Sequence, residues 1–350
     1  MEHEIKTNSC EYLGNDFHSF KNKTNFDKVV VIGLGQLGLP VAKYVKEKGF
    51  DAYGYDISEK AMAVAESNFG IKKASNFNDF DVLIICVSTH VPNDMFTPQV
   101  DGLMSVVEKI SKEAKTGALI SIESTIPKGT SQKVFEKLDH RLHVVHAPHR
   151  WYALEEQDHG VNQLRILGGV NKCCLQEGMR FYDGRTSMDR DAAAAAAAAP
   201  SIPAASTEVH ALSIPMHPVS SIEVAELTKI IENAHRYLQI AFAEELYLYC
   251  RTNNISFTEL RESLNTKWNV EVLEPRDGIG GHCLPKDTKM FINSSNTIKS
   301  KILQAAIAID DDYRKYIQNR DKENNISSII NNGGIQKYPN PLLIEEKVNK

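Results

Sequence analysis

The strongest constraint on the fold is Gly33-Leu34-Gly35-Gln36-Leu37-Gly38, because of what flanks it. A β-branched run, Lys28-Val29-Val30-Val31-Ile32, leads in, and a stretch with helical spacing, Gln36 to Lys48, leads out to a closing Gly49. Glycines joining strand to helix predict three things. Gly33 permits a tight turn, Gly35 lets bare backbone approach a pyrophosphate, and Gly38 lets helix pack closely on strand. The helix start, with Gln36 and Leu37 in its turn, then offers amide donors and a positive dipole end to phosphates. Asp56 ends the next short strand, Asp51 to Asp56, 18 residues past Gly38. There it can accept hydrogen bonds from ribose hydroxyls and repel a 2′-phosphate, so NAD is expected over NADP.

The alternation continues along the chain. Helices are predicted near 58–67, 101–114 and 129–138, and strands at 81–87, 117–122, 142–146 and 163–168. This pattern implies an α/β protein whose N-terminal Rossmann domain is a doubly wound parallel sheet, residues 28–184. Residues 185–211 break the pattern with eight alanines, Ala192–Ala199, and a Pro/Ser-rich stretch, and read as a linker or insertion. Residues 212–320 read as an all-helical dimerisation domain. Its helices fall near 220–250, where Val224, Leu227, Ile231, Leu238 and Phe242 recur at helical steps, near 257–265 and near 297–317. The ends, 1–27 and 321–350, are polar and expected to be disordered.

Composition excludes several classes. A net charge of −5 argues against a nucleic-acid surface. No apolar run approaches the roughly 20 residues that span a bilayer, and no secretory h-region is visible. Six cysteines without a CxxC pair form no disulfide framework and leave little room for a metal. A soluble, cytoplasmic protein is expected.

Three further segments carry chemistry. In Gly280-Gly281-His282-Cys283-Leu284-Pro285-Lys286-Asp287, Pro285 suits the first position of a helix. Cys283 would then stand just before a helix N-terminus, where the dipole favours thiolate. Cys86 and Cys250 read instead as buried apolar residues. On the long helix, Glu226, Lys229 and Asn233 share one face, which spacing alone leaves as either a polar solvated stripe or a site. Glu123-Ser124-Thr125-Ile126-Pro127 follows a strand directly, where open α/β sheets place ligands.

With these residues in view, the chain resembles the UDP-glucose/GDP-mannose dehydrogenase family, the nucleotide-sugar 6-dehydrogenases, over roughly residues 28–317. The segment 280–287 is highly specific. Glu223 to Asn233 and Glu123 to Pro127 also match, and His282 with Pro148-His149-Arg150-Trp151 looks most like members acting on UDP-N-acetylhexosamines. The resemblance implies oxidation of a sugar C6 alcohol to the acid with two NAD⁺, for glycan precursor synthesis. Cys283 would form the thiohemiacetal and thioester, and Lys229 and Asn233 would stabilise the oxyanion. Asp287 and Thr125 would hold the catalytic water. Thr89 and Glu123 are assigned to the cofactor with the glycines and Asp56, and the helix 220–250 to a homodimer.

Two departures stand out. His149 occupies a place where many members have a Glu implicated in thioester hydrolysis; two readings stay open, that it accepts the proton instead or that the substitution weakens turnover. Only 63 residues follow Asp287, too few for the family's third, UDP-binding domain. Two alternatives therefore stay open: a catalytically weak NAD-binding subunit that pairs with a full-length homologue, and a dehydrogenase of a smaller hydroxy substrate.

Overall fold

The computed structural model describes residues 26–91, 93–150, 160–184, 210–294 and 299–331. Trp151, the alanine run and the outer parts of both termini lie outside these residues. The described chain divides into two compact units that meet in sequence at Ile231/Glu232, inside the long helix.

The first unit is built on β1 (Lys28–Ile32), α1 (Gly38–Glu47), β2 (Asp51–Tyr55), α2 (Glu59–Phe69), β3 (Lys72–Lys73), β4 (Val82–Ile85), a small antiparallel pair β5 (His90–Val91) and β6 (Asp94–Pro98), α3 (Asp101–Glu113), β7 (Leu119–Ile122), α4 (Thr130–Lys137), β8 (His143–His146), β9 (Arg165–Gly169), α5 (Lys172–Tyr182) and β10 (Met216–Pro218). Eight strands form one sheet in the order β10-β9-β8-β7-β4-β1-β2-β3. The order reverses between β1 and β4, the switch point at which ligands sit in open α/β sheets.

The strands explain the burial. β4, β7 and β8 are buried at every position, as expected of parallel strands covered on both faces. Alternate residues serve opposite cores. Val29 and Val31 pack on one side with Val41 and Val45 of α1, and Val30 and Ile32 on the other with Leu103 and Val107 of α3. One expectation changes here. β9 pairs antiparallel with β8, so the last two strands run against the rest of the sheet.

The remaining helices are α6 (Ile222–Thr252), whose first ten residues belong to the first unit, and then α7 (Phe257–Asn265), α8 (Cys283–Ile292) and α9 (Lys301–Asn331). The second unit has its own small core of Tyr237, Ala241, Ile279 and Ala306. Two predictions are corrected. α8 begins at Cys283, so Pro285 is its third residue and not its first. That place still costs no hydrogen bond, because first-turn amides have no intrahelical partner. α9 runs to Asn331, past the predicted end of order at 320, because its polar sequence holds no Gly or Pro before Gly333.

Candidate functional site

The glycine turn behaves as its sequence predicts. Gly33 has φ +89°, and a Cβ there would lie 2.7 Å from the Cys86 carbonyl oxygen. At Gly38 a Cβ would lie 1.6 Å from the Gly33 carbonyl oxygen, so only glycine allows this helix to start so close to β1. Gly35 faces open space. Gly33 and Gly35 border a cavity of about 570 Å³ beside the switch point, lined also by Asp56, Tyr55, Phe77 and Lys109. Asp56 Oδ2 accepts from the Leu34 amide at 2.6 Å and Oδ1 from the Ser58 amide at 2.7 Å, which fixes the carboxylate while leaving lone pairs for ribose hydroxyls. The bare backbone at Gly35 and the oriented Asp56 fit the adenosine and pyrophosphate of NAD.

Gln36, Leu37, Gly38, Thr89 and Glu123 are not among the cavity's lining residues. The Thr89 hydroxyl donates to the Thr125 carbonyl at 2.7 Å and ties together the loops after β4 and β7.

Glu123 lies deep in the first unit. It is 1% exposed, and its carboxylate is gripped from several sides. His149 Nε2 and the Tyr182 hydroxyl donate to it in very short bonds, and Arg165 Nη1 lies 3.2 Å from Oε1. Tyr182 in turn shares a 2.6 Å bond with Ser121. Burial works to raise the Glu123 carboxyl, but Arg165 and His149 outweigh it and hold the group at about 2. Burial, with Arg165 adding, pushes His149 down to about 4 against the pull of Glu123. At neutral pH the pair is therefore a carboxylate beside a neutral imidazole. His149 Nδ1 is buried and has no hydrogen-bond partner among the described residues. The sequence reading missed Arg165 and Tyr182. The one available signal was a charged residue inside an otherwise apolar strand run, Arg165-Ile166-Leu167.

The stripe Glu226, Lys229 and Asn233 is not a solvated one. Glu226 is fully buried and receives the amides of Gly129 at 2.6 Å and Ser131 at 2.8 Å. It thereby caps α4, whose own N-cap residue Gly129 has no side chain to do so. Lys229, half-buried, adds its charge to the field at His146 and His149. In the second unit, Asn233 Nδ2 donates to Asp287 Oδ2 at 2.5 Å, and Lys286 Nζ lies 3.2 Å from Asp287 Oδ1. Cys283 is exposed at the first residue of α8, with Sγ 3.6 Å from His282 Nε2. Cys86, Cys174 and Cys250 are free but buried. Burial pushes the Cys86 thiol well up, so it stays protonated and inert.

Cys173 is disulfide-bonded. Its sulfur, Cys174 and His143 bring ligand atoms within 4.8 Å of one another, but a disulfide sulfur is no thiolate ligand. No helix among the described residues is long and apolar enough to cross a membrane.

Two family models match the chain. The NAD-binding domain of the UDP-glucose/GDP-mannose dehydrogenase family matches residues 60–185, and its central domain matches residues 223–312. A UDP-N-acetyl-D-mannosamine dehydrogenase of Methanococcus maripaludis is 27% identical over 83% of this chain and 67% of its own length. One from Campylobacter jejuni is 26% identical over 85% and 75%. The solved UDP-N-acetyl-mannosamine dehydrogenase of Staphylococcus aureus superposes with a TM-score of 0.64 at 26% identity, covering 89% of this chain and 73% of that one.

Proposed function

The chain belongs to the UDP-glucose/GDP-mannose dehydrogenase family and is an NAD-dependent oxidoreductase of the nucleotide-sugar kind, and from that premise we propose that it oxidises the C6 alcohol of a UDP-N-acetylhexosamine, UDP-N-acetylmannosamine first among them, to the acid. The observation that carries the chemistry is Cys283. Of the four free described cysteines it alone is exposed, and it opens a helix, where amide dipoles favour thiolate. NAD, when bound at the glycine turn, supplies the acceptor for two hydrides.

The chain's own groups do the rest. Cys283 Sγ adds to the C6 aldehyde of the first oxidation, and its proton leaves to solvent. The second oxidation turns that thiohemiacetal into a thioester, and water then releases the acid and restores the thiol. Lys229 and Asn233 supply positive charge and an N–H to the oxyanion. Asp287, fixed by Asn233 and Lys286, and Thr125 orient the water. His149, neutral through the physiological range, accepts its proton. The product is an activated acidic sugar for glycan precursors, made in the cytoplasm.

The protein acts as a homodimer through α6. Val224, Ile231, Phe242 and Tyr249 are exposed at steps of seven and eleven residues and so share one uncovered stripe.

The test is turnover of UDP-N-acetylmannosamine with NAD⁺ by the purified protein, with two NADH formed per acid. Cys283→Ser should lower acid formation by roughly 1,000-fold or more. Mass spectrometry of quenched wild-type enzyme should find the acyl adduct on Cys283, and an adduct on Cys86 or Cys250 would refute the assignment.

A further inference from the structure

The loop that leads into Cys283 is gripped by one face of one helix. Tyr313 and Arg314 stand three and four residues after Asp310 on α9, so the three side chains emerge together. All three spend polar atoms on the backbone of the loop. The Tyr313 hydroxyl donates to the Arg276 carbonyl at 2.7 Å. Asp310 Oδ1 accepts from the Ile279 amide at 2.9 Å, and Arg314 Nη2 donates to the Ile279 carbonyl. Arg314 Nε also donates to Asp310 Oδ2 at 2.9 Å, so the two grips on Ile279 are joined to each other. Gly278, at φ +95°, passes so close that a Cβ there would lie 3.2 Å from both Arg314 Cγ and Asp310 Oδ1.

Past this grip the chain is bare. Ile279 is 1% exposed in the small core of the second unit, and Leu284 packs against that same core. Between these two feet, Gly280, Gly281 and Cys283 are exposed. A Cβ on either glycine would meet nothing within 4 Å. The glycines therefore bring no packing of their own, and the place of Cys283 depends on the feet. The start of α8 holds one, and Ile279 is the other. Loss of the bonds to Ile279 would leave a buried amide and carbonyl unpaired, which forces that foot to move.

We propose that Asp310 and Arg314 are positioning residues for Cys283: by holding Ile279 through both its amide and its carbonyl, they fix one foot of the exposed arch that presents the thiol. The pair, the loop and the thiol all belong to the second unit. The effect on turnover rests on the dehydrogenase reading above; the hold on the arch does not.

¹⁹F NMR of the full chain alkylated at Cys283 with bromotrifluoroacetone reads the arch without turnover. The wild type should give one narrow line, identified by its absence from Cys283→Ser. In Arg314→Met and Asp310→Ala that line should split or broaden. In unlabelled enzyme, kcat with UDP-N-acetylmannosamine should fall roughly 10- to 100-fold in both variants, the cost of misplacing a reacting group, with KM for NAD⁺ within about twofold of wild type. Asp310→Asn keeps an acceptor for the Ile279 amide and should lose less than Asp310→Ala. An unchanged ¹⁹F line in both variants would overturn the proposal, and so would a broadened line with unchanged kcat. If neither variant folds, hydrogen exchange on the wild type decides. The Ile279 amide should exchange far more slowly than those of Gly280 and Gly281, and equal rates would overturn the grip. A wild type that oxidises no nucleotide sugar would sink the proposed function instead, and the ¹⁹F line would still decide the hold on the arch.

Discussion

Glu123 in the first unit and Glu244 in the second are both fully buried glutamates, and they sit in opposite states. Glu123 is surrounded by donors and held at about 2, so it is a carboxylate throughout the working pH range. Glu244, on α6, has no hydrogen-bond donor on either oxygen among the described residues. Burial first, and then the charge of Asp310, push it up to about 8 against the opposing pull of Arg314. Asp310 takes the donors there: the Ile279 amide at 2.9 Å, Arg314 Nε at 2.9 Å and the Tyr237 hydroxyl at 3.2 Å. Burial alone therefore does not set the charge of a carboxyl group. The cation and the donors that converge on it do, because they replace the hydration that burial removes.

The most severe way to break this contrast is to remove the cation from Glu123. Arg165→Met should destabilise the first unit by about 3–5 kcal/mol at pH 7, the cost of leaving a buried charge uncompensated. Urea unfolding of the full chain reads this directly, and a loss under roughly 1 kcal/mol would mean that Tyr182 and His149 suffice. Tyr182→Phe removes one donor but leaves the cation. The loss should be about 1.5–3 kcal/mol, the range for a hydrogen bond to a charged group. Equal losses for the two variants would show that donor number, and not charge, governs the site.

A further contrast is one of pH, and its sign separates the two residues. Glu244 is raised from 4.5 to about 8 by folding, so its contribution to stability is complete below 4.5 and is lost as pH climbs towards 8. The slope is at most roughly 1.4 kcal/mol per pH unit. Glu123 is lowered from 4.5 to about 2, so its contribution is present above 4.5 and is lost as pH falls towards 2. A pH series of calorimetric scans on wild type and Glu244→Gln checks this. The substitution should remove the decline above pH 4.5 and leave the acid limb intact. An unchanged decline would assign it to another group.

The parts of the fold that were legible in the sequence depend on residues close together in the chain. Gly33, Gly35, Gly38 and Asp56 announce a turn and its acidic neighbour within 24 residues. The strands of the sheet announce themselves as short β-branched runs between turns. The signal faded where structure came from distant pairing. β10 and the β5–β6 pair are only two to five residues long, and the antiparallel β9 is fixed by its neighbour β8 and not by its own composition.

The sequence by itself determined the Rossmann turn, the alternation of elements and the family-specific segment around Cys283, because these are carried by local backbone conformation and by residue type. Only the tertiary structure decided what the charged residues do. Glu123 lies 42 residues from Arg165 and 59 from Tyr182 along the chain, and Glu226 lies 97 from the Gly129 amide that it caps. No local pattern encodes which donors will meet a carboxylate over such separations. Once the sheet has formed, the sheltered space between its strands and helices makes each of those meetings obligatory, because a buried charge without partners would not survive folding.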